Sequence, residues 1–304
     1  MRCVDYFSGV GGFTLGAKRA GLDVVGALNH WEVAVRSHEA NHPDVRHELH
    51  DAETFDHRRW PAHDLRLFAA PCQGFSSGRG YEQPHHDALR MTSWAIVTSL
   101  EVAPVEAFVA ENVPEMTRWT LWPVWCSALR ALGYTLTDTV IDAADCGVPQ
   151  NRKRLFVVGW KRGALAIPPP AEPHVAVGRI LDWDAGEWKP WERSKRRAQL
   201  EHGRVSLGAR FVFPYYSNGS GKKGRSIFRP IGTIPTKDRW GIYRDGYTRM
   251  MSETELKRAM SFREDLVLAS ERHEDRVKLL GNAVPELLAA YVLGCVRRTM
   301  EGAA

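Results

Sequence analysis

Cys72 is the residue in this sequence best placed to act as a nucleophile. It stands in Pro71-Cys72-Gln73-Gly74-Phe75-Ser76, directly after the apolar run 65–70, which reads as a buried strand closed by turn residues. Such a thiol reaches the strand's carboxyl end, the edge at which open α/β sheets bind ligands, and as a thiolate it attacks electron-poor carbon. The same residue also reads as an inert buried cysteine. A second apolar run, 105–110, delivers Glu111 to that edge. Partly buried there, a carboxyl has a raised pKa and can pass a proton near neutral pH; a solvated strand end is the alternative. In Gln150-Asn151-Arg152-Lys153-Arg154 the two arginines project to one side of an extended backbone, where they can orient an anion or a carbonyl oxygen.

These residues need a scaffold, and the preceding chain supplies its pattern. Asp5-Tyr6-Phe7-Ser8-Gly9-Val10-Gly11-Gly12-Phe13 follows a short strand and opens a helix running to residue 20. Its glycines allow close approach of a ligand to the backbone amides of a helix start, or simply tight packing. A strand over 22–28 ends at Asn29-His30-Trp31-Glu32, and Asp51 follows a third, weaker segment. Adenine can stack on Trp31 and offer its amine to Asp51, whereas a core tryptophan and a solvated aspartate are the plain readings. The polar stretch 76–87 has the character of a lid or a surface loop. Helices are expected over 89–100 and 121–132, and strands over 134–141 and 155–160. The alternation predicts an α/β fold with a mostly parallel sheet covered on both faces.

From residue 163 the texture changes: prolines cluster at 168–170, tryptophans at 183, 188 and 191, and the strand-helix rhythm stops. The expected divisions are therefore 1–162, a smaller irregular domain at 163–228, and a returning segment at 229–304. That last segment contains a helix over 253–261 and, after Gly281-Asn282-Ala283-Val284-Pro285, a final helix over 286–299.

The chain has 304 residues, 44% of them hydrophobic, a formal charge of +5 and five cysteines without a C-x-x-C pair. This composition points to a globular protein of a reducing cytoplasm and against structural zinc, other metals or disulfides. No apolar run is read as approaching the roughly 18 residues of a membrane span. Between residues 193 and 229 basic side chains alternate with aromatics and glycines, which fits either a solvated face or a surface that tracks phosphates.

Together, and in this order, the glycine-rich turn, Pro71-Cys72-Gln73, Glu111-Asn112-Val113, Gln150-x-Arg152-x-Arg154, the 249–256 stretch and Gly281-Asn282-Ala283-Val284 resemble the cytosine-5 DNA methyltransferase family of prokaryotes and phages. The resemblance implies a Rossmann-like S-adenosylmethionine-dependent methyltransferase domain and a target-recognition domain ending near Thr233-Ile234. It implies catalysis by Cys72, Glu111, Arg152 and Arg154 on a cytosine flipped out of double-stranded DNA, through a covalent cysteine adduct. It implies a cofactor held by Asp5, Phe7, Ser8, Gly9, Gly11, Gly12, Asn29, His30, Trp31, Asp51, Pro71, Asn282 and Val284. Gln73, Ser76, Arg90, Arg229 and Thr233 are the matching substrate-side candidates. A monomer suffices for one flipped base, and a cognate restriction endonuclease is an expected partner.

One position departs from the family. Where it commonly has a glutamate before the tryptophan that follows the second strand, this sequence has His30, and imidazole lacks the two anionic oxygens of a strong acceptor. Two other readings follow from it, a charged donor such as carboxy-S-adenosylmethionine and a DNA-binding protein with impaired turnover; a third, a tRNA-directed enzyme, stays open because the catalytic fold alone does not choose DNA over RNA.

Overall fold

Residues that alternate between two apolar environments form the central sheet. A computed structural model of the chain describes residues 1–72, 74–75, 90–215 and 223–303; the expected loop at 76–87, Gln73 and Ser76 lie outside them. In β1 (Arg2–Tyr6), Cys3 joins one core cluster while Val4 and Tyr6 join another on the opposite face, as period-two side chains must. The chain continues through α1 (Gly12–Arg19), β2 (Asp23–Asn29), α2 (Glu32–Asn41), β3 (Arg46–Leu49) and β4 (Leu65–Phe68). It then forms α3 (Trp94–Val102), β5 (Ala107–Asn112), α4 (Trp122–Ala131), β6 (Thr135–Asp142) and β7 (Lys153–Trp160).

The seven strands are ordered β3-β2-β1-β4-β5-β7-β6. All neighbours are parallel except β7, which runs antiparallel to both β5 and β6. The strand order reverses between β1 and β4, and a crevice at the carboxyl ends of these strands is where this architecture binds ligands.

Beyond the sheet, β8 (Lys189–Pro190), α5 (Arg197–Leu207), β9 (Arg210–Pro214), β10 (Trp240–Arg244) and β11 (Tyr247–Met250) form a second unit, whose four strands are ordered β8-β11-β10-β9. The expected boundary at 228 therefore falls inside one sheet, between β9 and β10, which pair antiparallel over 210–214 and 240–244. The region was read as irregular for a physical reason. β8 has two residues, and α5 buries only Gln199, Leu200 and Gly203, too thin a stripe to show helical periodicity.

The last elements are α6 (Glu253–Ala259), α7 (His273–Asn282) and α8 (Glu286–Gly302). Leu288, Val292, Leu293 and Val296 of α8 are fully buried with Phe13 and Ala17 of α1 against one face of the sheet. Each contributes on the order of 2 kcal/mol by leaving water. The stretch His273–Gly302 is long and apolar enough to cross a membrane by length and composition, contrary to the sequence reading, but 72% of its apolar window is buried in the protein. It is a core element, interrupted at Ala283 and Pro285 between α7 and α8.

Candidate active site

A cavity of about 240 Å³ opens at the reversal point of the sheet. Four strands end on it, each bringing a different chemical element. From β1 comes the turn Phe7–Gly12, in which Phe7 has φ 59° and Gly9 φ 56°; a left-handed phenylalanine is held only by surroundings that over-determine it. The turn closes against the carboxyl-terminal segment so tightly that a Cβ on Gly12 would lie 2.1 Å from the carbonyl oxygen of Val284. β2 brings Asn29, whose side-chain oxygen accepts the Trp31 amide at 2.9 Å and so fixes the turn that presents Trp31.

From β4 comes Cys72, a free thiol lining the cavity. Arg90 donates to the carbonyl of Gly74 at 2.9 Å, tethering the backbone just past the thiol. β5 carries Glu111 within the strand rather than beyond it, and the side chain is buried, not solvated. Its Oε1 accepts from Arg154 Nε at 2.8 Å, an ion pair almost withdrawn from water. Asn112 turns the other way and donates to the carbonyl of Ala70 at 3.3 Å, locking the ends of β4 and β5 together.

Burial dominates the ionisation of this group. It pushes the Glu111 carboxyl up, against the pull of Arg154 and Arg152. It likewise pushes the Cys72 thiol up, with Arg154 and Arg152 favouring the thiolate and Glu111 opposing it. Asp5 is raised to about 7 by complete burial despite a hydrogen bond from Thr14, and its second oxygen has no partner among the described residues. The site thus combines a thiol, a carboxyl able to hold a proton, and a fixed cationic flank.

A family model for C-5 cytosine-specific DNA methylases matches residues 1–177. The chain belongs to that family. It is 34% identical over 171 residues to the type II methyltransferase M.HgiDI of Herpetosiphon aurantiacus, covering 55% of this chain and 54% of that one. It is 26% identical to the type II methyltransferase M.MthTI of Methanothermobacter thermautotrophicus over 99% of this chain and 98% of that one. The chain thus spans about half the length of the first relative and nearly all of the second. Among solved structures, a candidate DNA modification methyltransferase encoded within an E. coli prophage shares the fold with a TM-score of 0.73 at 20% identity, over 99% of both chains.

As in the family's motif order, Asp5, Phe7, Ser8, Gly9, Gly12, Asn29, His30, Trp31, Pro71, Asn282 and Val284 line the same cavity as Cys72, Glu111, Arg152 and Arg154. Two cofactor candidates do not. Gly11, at φ 96°, faces away, and a Cβ there would meet His42 Nε2 at 2.8 Å. Asp51 is exposed and accepts the Glu53 amide at 2.9 Å in a local turn. Of the substrate candidates, Arg229 and Thr233 are exposed outside the cavity, with the Thr233 hydroxyl donating to the Asn151 carbonyl at 3.0 Å.

Arg152 differs most from expectation. Its guanidinium donates to the carbonyls of Ile234 at 3.0 Å, Gly281 at 2.8 Å and Ala283 at 3.1 Å, so it fastens the returning segment to the sheet, while its ε-NH has no partner among the described residues. Sequence reasoning missed Lys278, whose ammonium lies 4.3 Å from the Trp31 ring centroid and lines the cavity. It stands on α7, a helix too polar at its start to be read from periodicity.

Proposed function

We propose that this protein transfers a methyl group from S-adenosylmethionine to carbon 5 of a cytosine flipped out of double-stranded DNA. The observation that carries the reading is the meeting of Cys72 with the buried Glu111–Arg154 pair in one cavity at the ends of adjacent parallel strands.

The cavity fits the cofactor's chemistry. Trp31 and Phe7 offer aromatic surface, and Ser8, Asn29 and Asn282 offer hydrogen-bonding groups. Asp5 offers a buried, unpartnered oxygen, and Gly12 leaves space that a side chain would fill. When bound, S-adenosylmethionine supplies an electrophilic methyl group. The protein's task is to make carbon 5, a poor nucleophile in the free base, electron-rich. Cys72 thiolate forms a bond to ring carbon 6, and the electron pair of the ring double bond shifts towards nitrogen 3 and carbon 5. Glu111, whose carboxyl burial pushes towards its protonated form against the pull of Arg154, hydrogen-bonds or protonates nitrogen 3, while Arg154 holds Glu111 and directs its remaining donors at the base carbonyl. After carbon 5 is substituted, a solvent base takes its proton, which restores the double bond and expels the Cys72 thiolate, and nitrogen 3 returns any proton it took to Glu111. The type II relatives support a further role beside a cognate restriction endonuclease.

The test is incubation of the protein with S-adenosylmethionine and unmethylated duplex DNA, with tRNA as a competing acceptor, followed by mass analysis and base-resolution mapping. Methyl at carbon 5 of cytosine in a short recurring context is expected. Preferential labelling of tRNA, or full activity of Cys72→Ala, would overturn the proposal. A second reading has one observation in its favour: His30 and Lys278 place an imidazole and an ammonium at the Trp31 end of the cavity, where an extra carboxylate on the donor could be tolerated. The mass of the modified cytosine separates methyl from carboxymethyl.

A further inference from the structure

Phe228 is 83% exposed, the most exposed large apolar side chain among the described residues. Its backbone is nevertheless fixed. The carbonyl of Ile227 accepts from the Gly178 amide at 2.8 Å, and that of Arg229 from the Val177 amide at 2.9 Å. The Phe228 amide itself donates to Ser226 Oγ at 3.2 Å. The clamp depends on a glycine, because a Cβ on Gly178 would lie 2.9 Å from the Ile227 carbonyl oxygen. Ile227 turns inward onto an apolar cluster, leaving its neighbour as the outward tip.

A short stretch of chain ties the tip to the segment that carries Arg152. Three residues on, the Ile231 amide donates to the Pro149 carbonyl at 3.0 Å, and the Ile231 carbonyl accepts from the Asn151 amide at 2.7 Å, next to Arg152 in the cavity wall. Three residues of chain reach at most about 11 Å, close to the roughly 12 Å width of a major groove. Lys223, Arg225 and Arg229 are exposed on the same segment, and basic side chains of this kind draw a phosphate backbone.

Extruding a base leaves a gap in the stack and sacrifices its stacking energy, and apolar side chains that enter base steps offset that loss. We propose that Phe228 enters the duplex beside the extruded cytosine and stacks on a neighbouring base. The proposal rests on the cytosine-flipping reading above. It makes Phe228 a positioning residue that favours the flipped state without touching the reacting atoms.

The test compares wild type, Phe228→Ala and Phe228→Trp in single-turnover methylation of two duplexes. One carries the site mapped by the methylation assay. The other is identical except for an abasic position opposite the target, so that the cytosine is already unpaired. Phe228→Ala should lose about tenfold in rate on the paired duplex, the size of one aromatic–base stack. Most of that loss should vanish on the abasic duplex, and Phe228→Trp should keep near wild-type rates on both. An unchanged rate for Phe228→Ala on the paired duplex, an equal loss on both duplexes, or a Phe228→Trp variant as slow as alanine would overturn the proposal. A wild-type protein that yields no methylated cytosine on either duplex would remove the flipping reading itself.

Discussion

Replacing Arg152 by methionine separates two roles that the same arginine could play. The substitution keeps much of the side-chain volume but deletes donors to three carbonyls at 2.8–3.1 Å in a residue only 2% exposed. A hydrogen bond from a charged donor is worth about 1.5–3 kcal/mol net. Three do not add, and the variant also escapes the cost of burying a guanidinium, so the expected destabilisation is about 3 kcal/mol. At about 2–4 °C per kcal/mol for chains of comparable size, this is a fall of roughly 6–12 °C in Tm. Because the carbonyls belong to Ile234, Gly281 and Ala283, the loosened element is the segment carrying Asn282 and Val284 into the cavity. Calorimetric affinity for S-adenosylmethionine should therefore fall along with Tm, without DNA present. Thermal unfolding and titration calorimetry on the purified variant decide the matter. Unchanged Tm and cofactor affinity with a reduced methylation rate would refute the fastening role and return Arg152 to the substrate.

Other perturbations probe the remaining parts. Glu111→Gln should lower kcat by about 10²- to 10³-fold, as loss of a general acid does. Wild-type rate should depend on pH through both groups, because the reaction needs a thiolate at Cys72 and a proton at Glu111 and burial raises both pKa values; a pH–rate profile of Glu111→Gln with the same shape as wild type would refute this assignment. Gly12→Ala, with a Cβ 2.1 Å from Val284 O, should cost about 1–3 kcal/mol through overpacking and weaken cofactor binding, whereas unchanged denaturation and calorimetry would contradict the close contact. His57 is buried beside Tyr6, and burial lowers its pKa to about 4. Its contribution to stability is present above its unfolded value near 6.5 and is lost as pH falls from there towards 4. His57→Gln should therefore show a smaller loss of urea-denaturation stability over that interval than wild type, and an identical slope would count against it.

The strands and glycine-rich turn of the first 160 residues were legible because each apolar run is short and ends in turn residues, and Cys72 and Glu111 could be placed at strand ends on that basis. The pairing of Glu111 with Arg154 was not, since it depends on β7 running antiparallel beside β5, a topological fact without a local signature. The turn in which the Asp51 side chain accepts the Glu53 amide had no signal in the sequence either. The four-stranded sheet escaped because β8, β9 and β10 lie far apart in the chain, although β10 and β11 form a hairpin across Asp245-Gly246, and α7 because its first turn, His273-Glu274-Asp275-Arg276, is wholly polar. Lys278 and the carbonyls held by Arg152 were hidden with that helix.

The contact of Gly12 with Val284 has a consequence for synthesis on the ribosome. The two halves of the cavity lie 272 positions apart in the sequence, so at about 5–20 residues per second the nascent chain spends on the order of tens of seconds with its first half exposed and the second unmade. During that interval α1 lacks the cover of α8, leaving Phe13 and Ala17 in search of apolar partners. A nascent chain stalled before Val284 would hold Cys72 but no closed cavity, so the reactive thiol would be present before the pocket that directs it.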